Sequence, residues 1–450
     1  MSIIIQYGAD RRMQLGGLSC DCDCAHETPD QDIYVGSDLI SQIPEFIRAR
    51  GLGERCLVVM DENTRRVAGA RVHESLRASG FHADALTFAR AGELVPDETT
   101  VGELLLHVLP ETQFLVAVGS GTITDACRVV AARCKLPFVS VATAASMDGY
   151  TSVVAPLLLN GVKIHRDGPC PEIIVCDLAA LATAPIDMVR AGVGDVLGKY
   201  IAIADWQIGR IINNEPFCPV CAEMVLSAVD SVLEHIDEIK DRTARGMQLL
   251  IEALLIAGLT ILIVGHTRAV ASVEHNISHF VEMKMLERFS KAPAHGETVG
   301  VATRLVYPIF KEFAASDLSG VDVHALRPMP EDARRAWMLH AYGEIAANAI
   351  MDENPGDFLT TEELHRRAQR AIARFDEIRA VIDRMPPLEA IEQAMDRLGA
   401  LRTMAELGVE IGIERMAMHA AKDYRTRYTL FKTIDELGLS DKFLGDHPIG

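Results

Sequence analysis

The chain has 450 residues, more than one ordinary core holds, and its 49% apolar and 24% charged content is that of a folded, water-soluble protein. A net charge of −19 argues against a nucleic-acid partner, because no basic stripe exists to neutralise phosphates, and it obliges any anionic ligand to find a locally positive pocket. Residues 1–30 hold no basic-then-apolar segment, and the longest apolar run, Ala253 to Val264, is shorter than the about 20 residues that cross a bilayer. No secretory signal and no membrane partner is therefore expected, and the ten cysteines read as reduced thiols of a cytoplasmic protein.

Along the chain, Cys20-Asp-Cys-Asp-Cys24 with His26 comes first. In an extended segment the three thiols would share one face, but the compact spacing lacks the paired ligands of a zinc site, so a structural metal is the minority reading. Next, Cys56–Met60 is a β-rich run ending at Asp61, an acid placed to bond adenosine ribose hydroxyls or, alternatively, to cap the following helix. Arg65 and Arg66 behind it could accommodate a 2′-phosphate, so NAD and NADP both stay open.

Phe114–Val118 runs straight into Gly119-Ser-Gly-Thr-Ile-Thr-Asp125. Glycine at such a strand-to-helix turn lets backbone N–H groups approach a pyrophosphate, although an ordinary tight turn has the same sequence. Pro137–Val141 precedes Thr143-Ala-Ala-Ser146 and Met147-Asp148-Gly149, where small hydroxyl residues can meet a cofactor and Asp148 a substrate hydroxyl. Glu172–Cys176 is a further β-rich run. Strands alternating with helices predict a parallel sheet covered on both faces. Lys163 and His165, in Asn160-Gly-Val-Lys-Ile-His165, are candidates for holding a phosphate, with a solvated loop as the competing reading.

Near Pro185 the pattern changes to long helical periodicities, as in 222–239, 246–264 and 361–385. The expected organisation is an α/β nucleotide-binding domain over 1–183 and an all-helical domain over 184–450. Cys218-Pro-Val-Cys221 matches a redox pair only in spacing, and inert thiols are the better reading. Three polar residues then stand out: Asp195 in Ala191-Gly-Val-Gly-Asp-Val-Leu-Gly-Lys199, His275 in Ser272-Val-Glu-His-Asn-Ile-Ser-His279, and His295 in His295-Gly-Glu-Thr-Val-Gly300. One carboxylate and two imidazoles suit a borderline divalent cation and leave coordination positions open for a substrate.

Together the stretches at 119–125, 143–152, 191–199, 274–279 and 295–296 resemble the glycerol-1-phosphate dehydrogenases, in particular the bacterial ones, a branch of the metal-dependent polyol dehydrogenase and dehydroquinate synthase superfamily. The tail Ala421-Lys-Asp-Tyr-Arg-Thr-Arg-Tyr428 resembles theirs too. The resemblance implies a Rossmann-like parallel-sheet domain followed by a helical metal-binding domain. It implies that Gly119, Ser120, Gly121, Thr122, Ile123, Thr143, Ala144, Ala145, Ser146 and Ser152 line the NAD or NADP site. Asp195, His275 and His295 would hold one divalent metal, zinc first, with nickel or iron as alternatives. Asp148, Asp195 and His279 would meet a small phosphorylated triose or polyol, in a homodimer or higher homo-oligomer.

Two departures matter. Iron-type relatives carry a histidine four residues after the ligand Asp, where this chain has Lys199, and many relatives have glycine where it has Ser120. The implied reaction is metal-assisted reduction of dihydroxyacetone phosphate to sn-glycerol 1-phosphate. Alternatives are a glycerol or other small-polyol dehydrogenase and, more remotely, a non-catalytic binding protein on the same fold.

Overall fold

The computed structural model describes residues 5–15, 20–22, 24, 26–27, 30–90, 92, 94–159, 162–289, 291–354 and 358–446. Ten strands are described: β1 Ile5–Tyr7, β2 Met13–Leu15, β3 Asp32–Gly36, β4 Arg55–Asp61, β5 His82–Phe88, β6 Phe114–Gly119, β7 Phe138–Ala142, β8 Val154–Leu159, β9 Val162–Asp167 and β10 Ile173–Asp177. Six of them form one sheet in the order β3-β10-β7-β6-β4-β5, with every neighbouring pair parallel. The four runs expected to be strands are β4, β6, β7 and β10; the outer strands β3 and β5 were not anticipated.

Alternation along the strands builds two apolar layers. Val58, Met60, Val116 and Val118 point to the layer containing Ile43, Ile47, Val72 and Leu76, from α1 (Ile43–Arg50) and α2 (Ala70–Ala78). Leu57, Val59, Leu115 and Ala117 point to the other, with Leu104, Ile123 and Val130 from α3 (Glu98–His107) and α4 (Gly121–Cys134). Burial on both faces explains why these strands read as unbroken apolar runs.

By its contacts the chain forms two compact units: Met1–Cys20 with Ala25–Val196 and Glu223–Gly265, and Asp21–Cys24 with Leu197–Ala222 and His266–Gly450. The first contains the sheet, α5 (Ile186–Leu197) up to Val196, and α8 (Ala244–Val264). The helix expected over 246–264 is α8, whose 21 residues are enough by length and composition to cross a membrane, yet 72% of its most apolar window is buried inside the fold. It packs on Leu178–Leu181 and Gly149–Thr151 as a core helix.

Two glycines allow that packing. A Cβ at Gly258 would stand 2.0 Å from Thr151 Oγ1 and 2.5 Å from the Asp148 carbonyl oxygen, and one at Gly192 on α5 would stand 2.0 Å from the Ala145 carbonyl oxygen. Both helices thus touch the 145–151 segment by backbone approach.

The second unit is helical, and no strand is found beyond Asp177 among the described residues. Its frame includes α6 (Lys199–Asn213), α9 (Val273–Phe289) and α10 (His295–Ala314), with α7 (Pro219–Glu234) lying mainly in the first unit. α9 packs along α10 and along Ile411–Ala420. The periodicity over 361–385 proves to be two helices, Thr361–Ala373 and Phe375–Asp383, broken at Arg374, whose guanidinium donates to the Ile211 carbonyl at 2.8 Å.

Replacing Gly258 by alanine should cost about 1–3 kcal/mol of overpacking. The expected outcome is a lower melting temperature than wild type; an unchanged one would mean that α8 moves away freely.

Candidate active site

In the first unit the expected cofactor residues gather at the carboxyl ends of adjacent strands. β6 ends at Gly119, Ser120 precedes the helix, and Gly121 opens α4, carrying Thr122 and Ile123 in its first turn. Gly119 pairs with Ala142 on β7, and the Thr143 N–H donates to the Gly119 carbonyl at 3.2 Å, so the 119–123 and 143–146 turns lie side by side. Ala144 and Ala145 are buried, and the buried Tyr150 hydroxyl donates to the Ala144 carbonyl at 2.7 Å. Ser152 sits in a local turn, its Oγ accepting the Val154 N–H at 2.9 Å.

Asp61 ends β4, the neighbour of β6, and its carboxylate accepts the Thr64 N–H at 2.7 Å while the Thr64 hydroxyl accepts the Asp61 N–H at 2.9 Å. This is a capping box, the alternative raised for Asp61 from sequence. Arg66 is held by Asn63.

The Asp148 N–H donates to Asp195 Oδ2 at 3.2 Å, joining the 143–152 turn to α5, and Asp195 is buried. Sequence reading missed the residue that braces this turn. Arg128, fully buried on α4, pairs with Asp125 at 2.6 Å and donates to the carbonyls of Gly149 at 2.8 Å, and of Tyr150 and Val154 at 3.3 Å. An arginine seven residues into the helix from Gly121 looks like a solvated helix residue on paper; only the fold turns it inward.

Lys163 and His165 lie on β9, the second strand of an antiparallel hairpin in which Leu158 faces Lys163 and Pro156 faces His165, rather than in a loop. His165 is exposed, and the Lys163 side chain lies outside the described residues. Asn-Gly between two apolar runs was the available hairpin signal.

In the second unit, His275 and His279 are one turn apart on α9, and His295 opens α10. Their ring centroids are 5.4 Å (His275–His295), 5.1 Å (His279–His295) and 6.5 Å (His275–His279) apart. Two buried glutamates stand behind them. Glu274 Oε1 is 2.6 Å from His275 Nδ1, and Glu282 Oε1 is 2.6 Å from His295 Nδ1 and accepts the Ser278 hydroxyl at 2.7 Å. Nitrogen or oxygen atoms of His279, Glu282 and His295 all lie within 4.8 Å of one another, so Glu282 is itself close enough to be a ligand. Neither glutamate was singled out from sequence. Their signal was present, since His275, Ser278, His279 and Glu282 recur at the spacing of one helix face.

Lys199 does not extend the helix of Asp195: α5 ends at Leu197 and Lys199 opens α6. Within the same unit Cys22 and Cys218 bring their sulfurs within 4.8 Å, and Cys218 Sγ accepts the Cys221 N–H at 3.3 Å.

The 421–428 tail buttresses α9. Asn276 donates to the Ala421 carbonyl at 2.9 Å, and the Tyr424 ring centroid is 5.5 Å from that of His279. Burial, opposed by the Ser272 hydroxyl and the Leu430 N–H (both at 2.6 Å) and by Arg268, pushes the Asp205 carboxyl up to about 7. Ser272 in turn donates its N–H to Glu274 Oε1 at 2.9 Å, so Asp205 connects the tail to the histidine helix.

Comparison with known proteins places the chain in a family. Residues 34–185 match the model of the iron-containing alcohol dehydrogenases. The chain is 31% identical over 424 residues to glycerol-1-phosphate dehydrogenase [NAD(P)+] of Halalkalibacterium halodurans, covering 93% of this chain and 96% of that protein. It is 31% identical over 433 residues to the enzyme of the same name from Bacillus licheniformis, covering 96% and 95%. Among solved structures, maleylacetate reductase from Agrobacterium tumefaciens shares the fold with a TM-score of 0.58 and 16% identity, over 94% of this chain and 99% of that one.

The Asp205 carboxyl titrates far above the about 3.9 of an unfolded chain. Between about pH 4 and 7 the folded state therefore keeps a proton that the unfolded state has lost, and the stability this brings is fully present below that window and lost as pH rises through about 7. Metal-free Asp205→Asn should show a smaller drop in melting temperature than wild type between pH 5 and 8. Equal drops would show that Asp205 is ionised throughout.

Proposed function

Since the chain belongs to the glycerol-1-phosphate dehydrogenase family, we propose that it interconverts dihydroxyacetone phosphate and sn-glycerol 1-phosphate, exchanging a hydride with NAD(P)H. What supports this reading is chemistry, a set of one carboxylate and two imidazoles: in one unit a buried Asp195 whose Oδ2 accepts the Asp148 N–H, and in the other the neighbouring rings of His275 and His295. That set fits a borderline divalent cation with room for a substrate oxygen. Asp195, His275 and His295 would hold the cation, zinc first with nickel or iron as alternatives, and when bound it supplies Lewis-acid polarisation at the C2 oxygen.

The remaining residues take defined parts. The helix N-terminus at Gly121, with Gly119, Ser120, Thr122 and Ile123, receives the pyrophosphate, because unpaired N–H groups and the helix dipole favour an anion there. Thr143, Ala144, Ala145, Ser146 and Ser152 line the cofactor beside it. Asp61 meets the adenosine ribose with the part of its carboxylate that the Thr64 cap leaves available. Asp148 hydrogen-bonds a substrate hydroxyl, and His279 passes a proton to the C2 oxygen, a transfer suited to an imidazole near neutral pH. Lys163 meets the phosphate. By this reading the protein is a cytoplasmic homodimer or higher homo-oligomer, with the cofactor held by the sheet-bearing unit and His275 and His295 carried by the helical one.

Side-by-side turnover of glycerol 1-phosphate and glycerol tests the substrate. A strong preference for the phosphorylated compound is expected, and a preference for glycerol would make the protein a simple polyol dehydrogenase. Removing His275 or His295 as alanine should abolish turnover and lower metal content while the fold survives; a variant with full metal and near-normal rate would take that residue out of the site. For Lys163→Ala, loss of a charge-assisted contact of about 1.5–3 kcal/mol should raise the KM for the phosphorylated substrate about ten- to a hundredfold. An unchanged KM would place the phosphate elsewhere.

A further inference from the structure

Glu274 and Glu282 lie behind two imidazoles, and nothing in the reaction as proposed uses them. Both carboxylates are buried, with relative exposures of 0% and 4%, and each has an oxygen 2.6 Å from a ring nitrogen. A carboxylate in that position costs free energy unless hydrogen bonds compensate it, and here donors converge: the Ser272 N–H on Glu274, and the Ser278 hydroxyl on Glu282. The two arrangements also arise independently. Glu274 precedes its histidine in the chain, whereas Glu282 reaches from α9 to the first residue of α10.

We infer that Glu274 and Glu282 are positioning residues for the metal, not ligands to it: each accepts a hydrogen bond from Nδ1–H and so assigns the Nε2 lone pair of His275 or His295 to the cation. The chemistry follows from the atoms. An ionised carboxylate can only accept, so at 2.6 Å the Nδ1 atom must carry the hydrogen, and a neutral imidazole with a proton on Nδ1 has its lone pair on Nε2. The carboxylate also fixes the ring's rotation and makes Nε2 a stronger donor. Ser278 makes Glu282 part of a three-residue arrangement, because its hydroxyl oxygen lies 2.7 Å from Glu282 Oε1 and 3.3 Å from His295 Nδ1. The close grouping of Glu282 with His279 and His295 admits the competing assignment, Glu282 as a direct ligand.

This inference rests on the metal reading above, and the experiment separates the two. Zinc affinity is measured on metal-free protein by competition with a chromophoric chelator, without cofactor or substrate, for wild type, Glu282→Gln, Glu274→Gln and Ser278→Ala. Glutamine keeps the shape but accepts more weakly, so each glutamine variant should bind zinc about 10- to 100-fold more weakly, with a smaller loss for Ser278→Ala. At saturating Co2+ the visible absorption bands of Glu282→Gln should match those of wild type, since no ligand is lost. Zinc affinity equal to wild type in both glutamine variants would overturn the inference while leaving the metal reading intact. A changed Co2+ spectrum in Glu282→Gln would overturn it in favour of direct ligation. Should a glutamine variant fail to fold, Ser278→Ala still decides for Glu282: unchanged affinity there counts against the arrangement. Absence of zinc binding by wild type would instead defeat the proposed function.

Discussion

A carboxylate taken out of water is tolerated only where hydrogen bonds or charge replace its hydration, and this chain buries two of them behind the histidines of one helical unit. Much of that unit is arranged around them. The Ser272 N–H and Ser278 hydroxyl supply donors, α10 begins at the histidine that Glu282 touches, and the C-terminal tail pins α9 through Asn276 and Ala421. Asp205 extends the connection to Leu430, so residues far along the chain bear on where His275 points. Further down the tail, Lys422 and Arg334 hold the Asp423 carboxyl at about 2 against the burial that opposes them, which keeps the tail's own charges paired.

The sheet unit solves a related problem by other means. Asp195 is buried on α5 and accepts a backbone N–H, that of Asp148, which ties its direction to the conformation of one turn. Arg128 holds that turn through three carbonyls, and Gly192 and Gly258 let two helices close on it. The same α4 that carries Arg128 presents its N-terminus beside Gly119, so one rigid helix supports both the 119–123 turn and the segment that carries Asp148. Rigid support of this kind suits a buried carboxylate, because the groups that hold the turn then fix the carboxylate's orientation.

Much of this was legible in the chain itself. Strands buried on both faces announced themselves as unbroken apolar runs, and the four-residue spacing of His275 and His279 matches one turn of α9. The outer strand β5 escaped because it alternates exposed and buried positions, with His82 and Asp84 breaking the apolar pattern. The β8–β9 hairpin escaped because its Asn-Gly was read as a loop. Glu282 and Arg128 were missed for a deeper reason: a charged residue on a helix is usually solvated, and only tertiary packing decides that it turns inward. The long helix expected over 246–264 is present as α8, because its apolar periodicity runs unbroken to Val264.

The most direct measurement is stereochemical analysis of the product when the zinc-loaded protein reduces dihydroxyacetone phosphate with NADH or NADPH, before and after chelation. The expected result is sn-glycerol 1-phosphate formed by the loaded protein, no product after chelation, and recovery when zinc is returned. A product of the opposite configuration, or turnover that persists once the metal is gone, would contradict it.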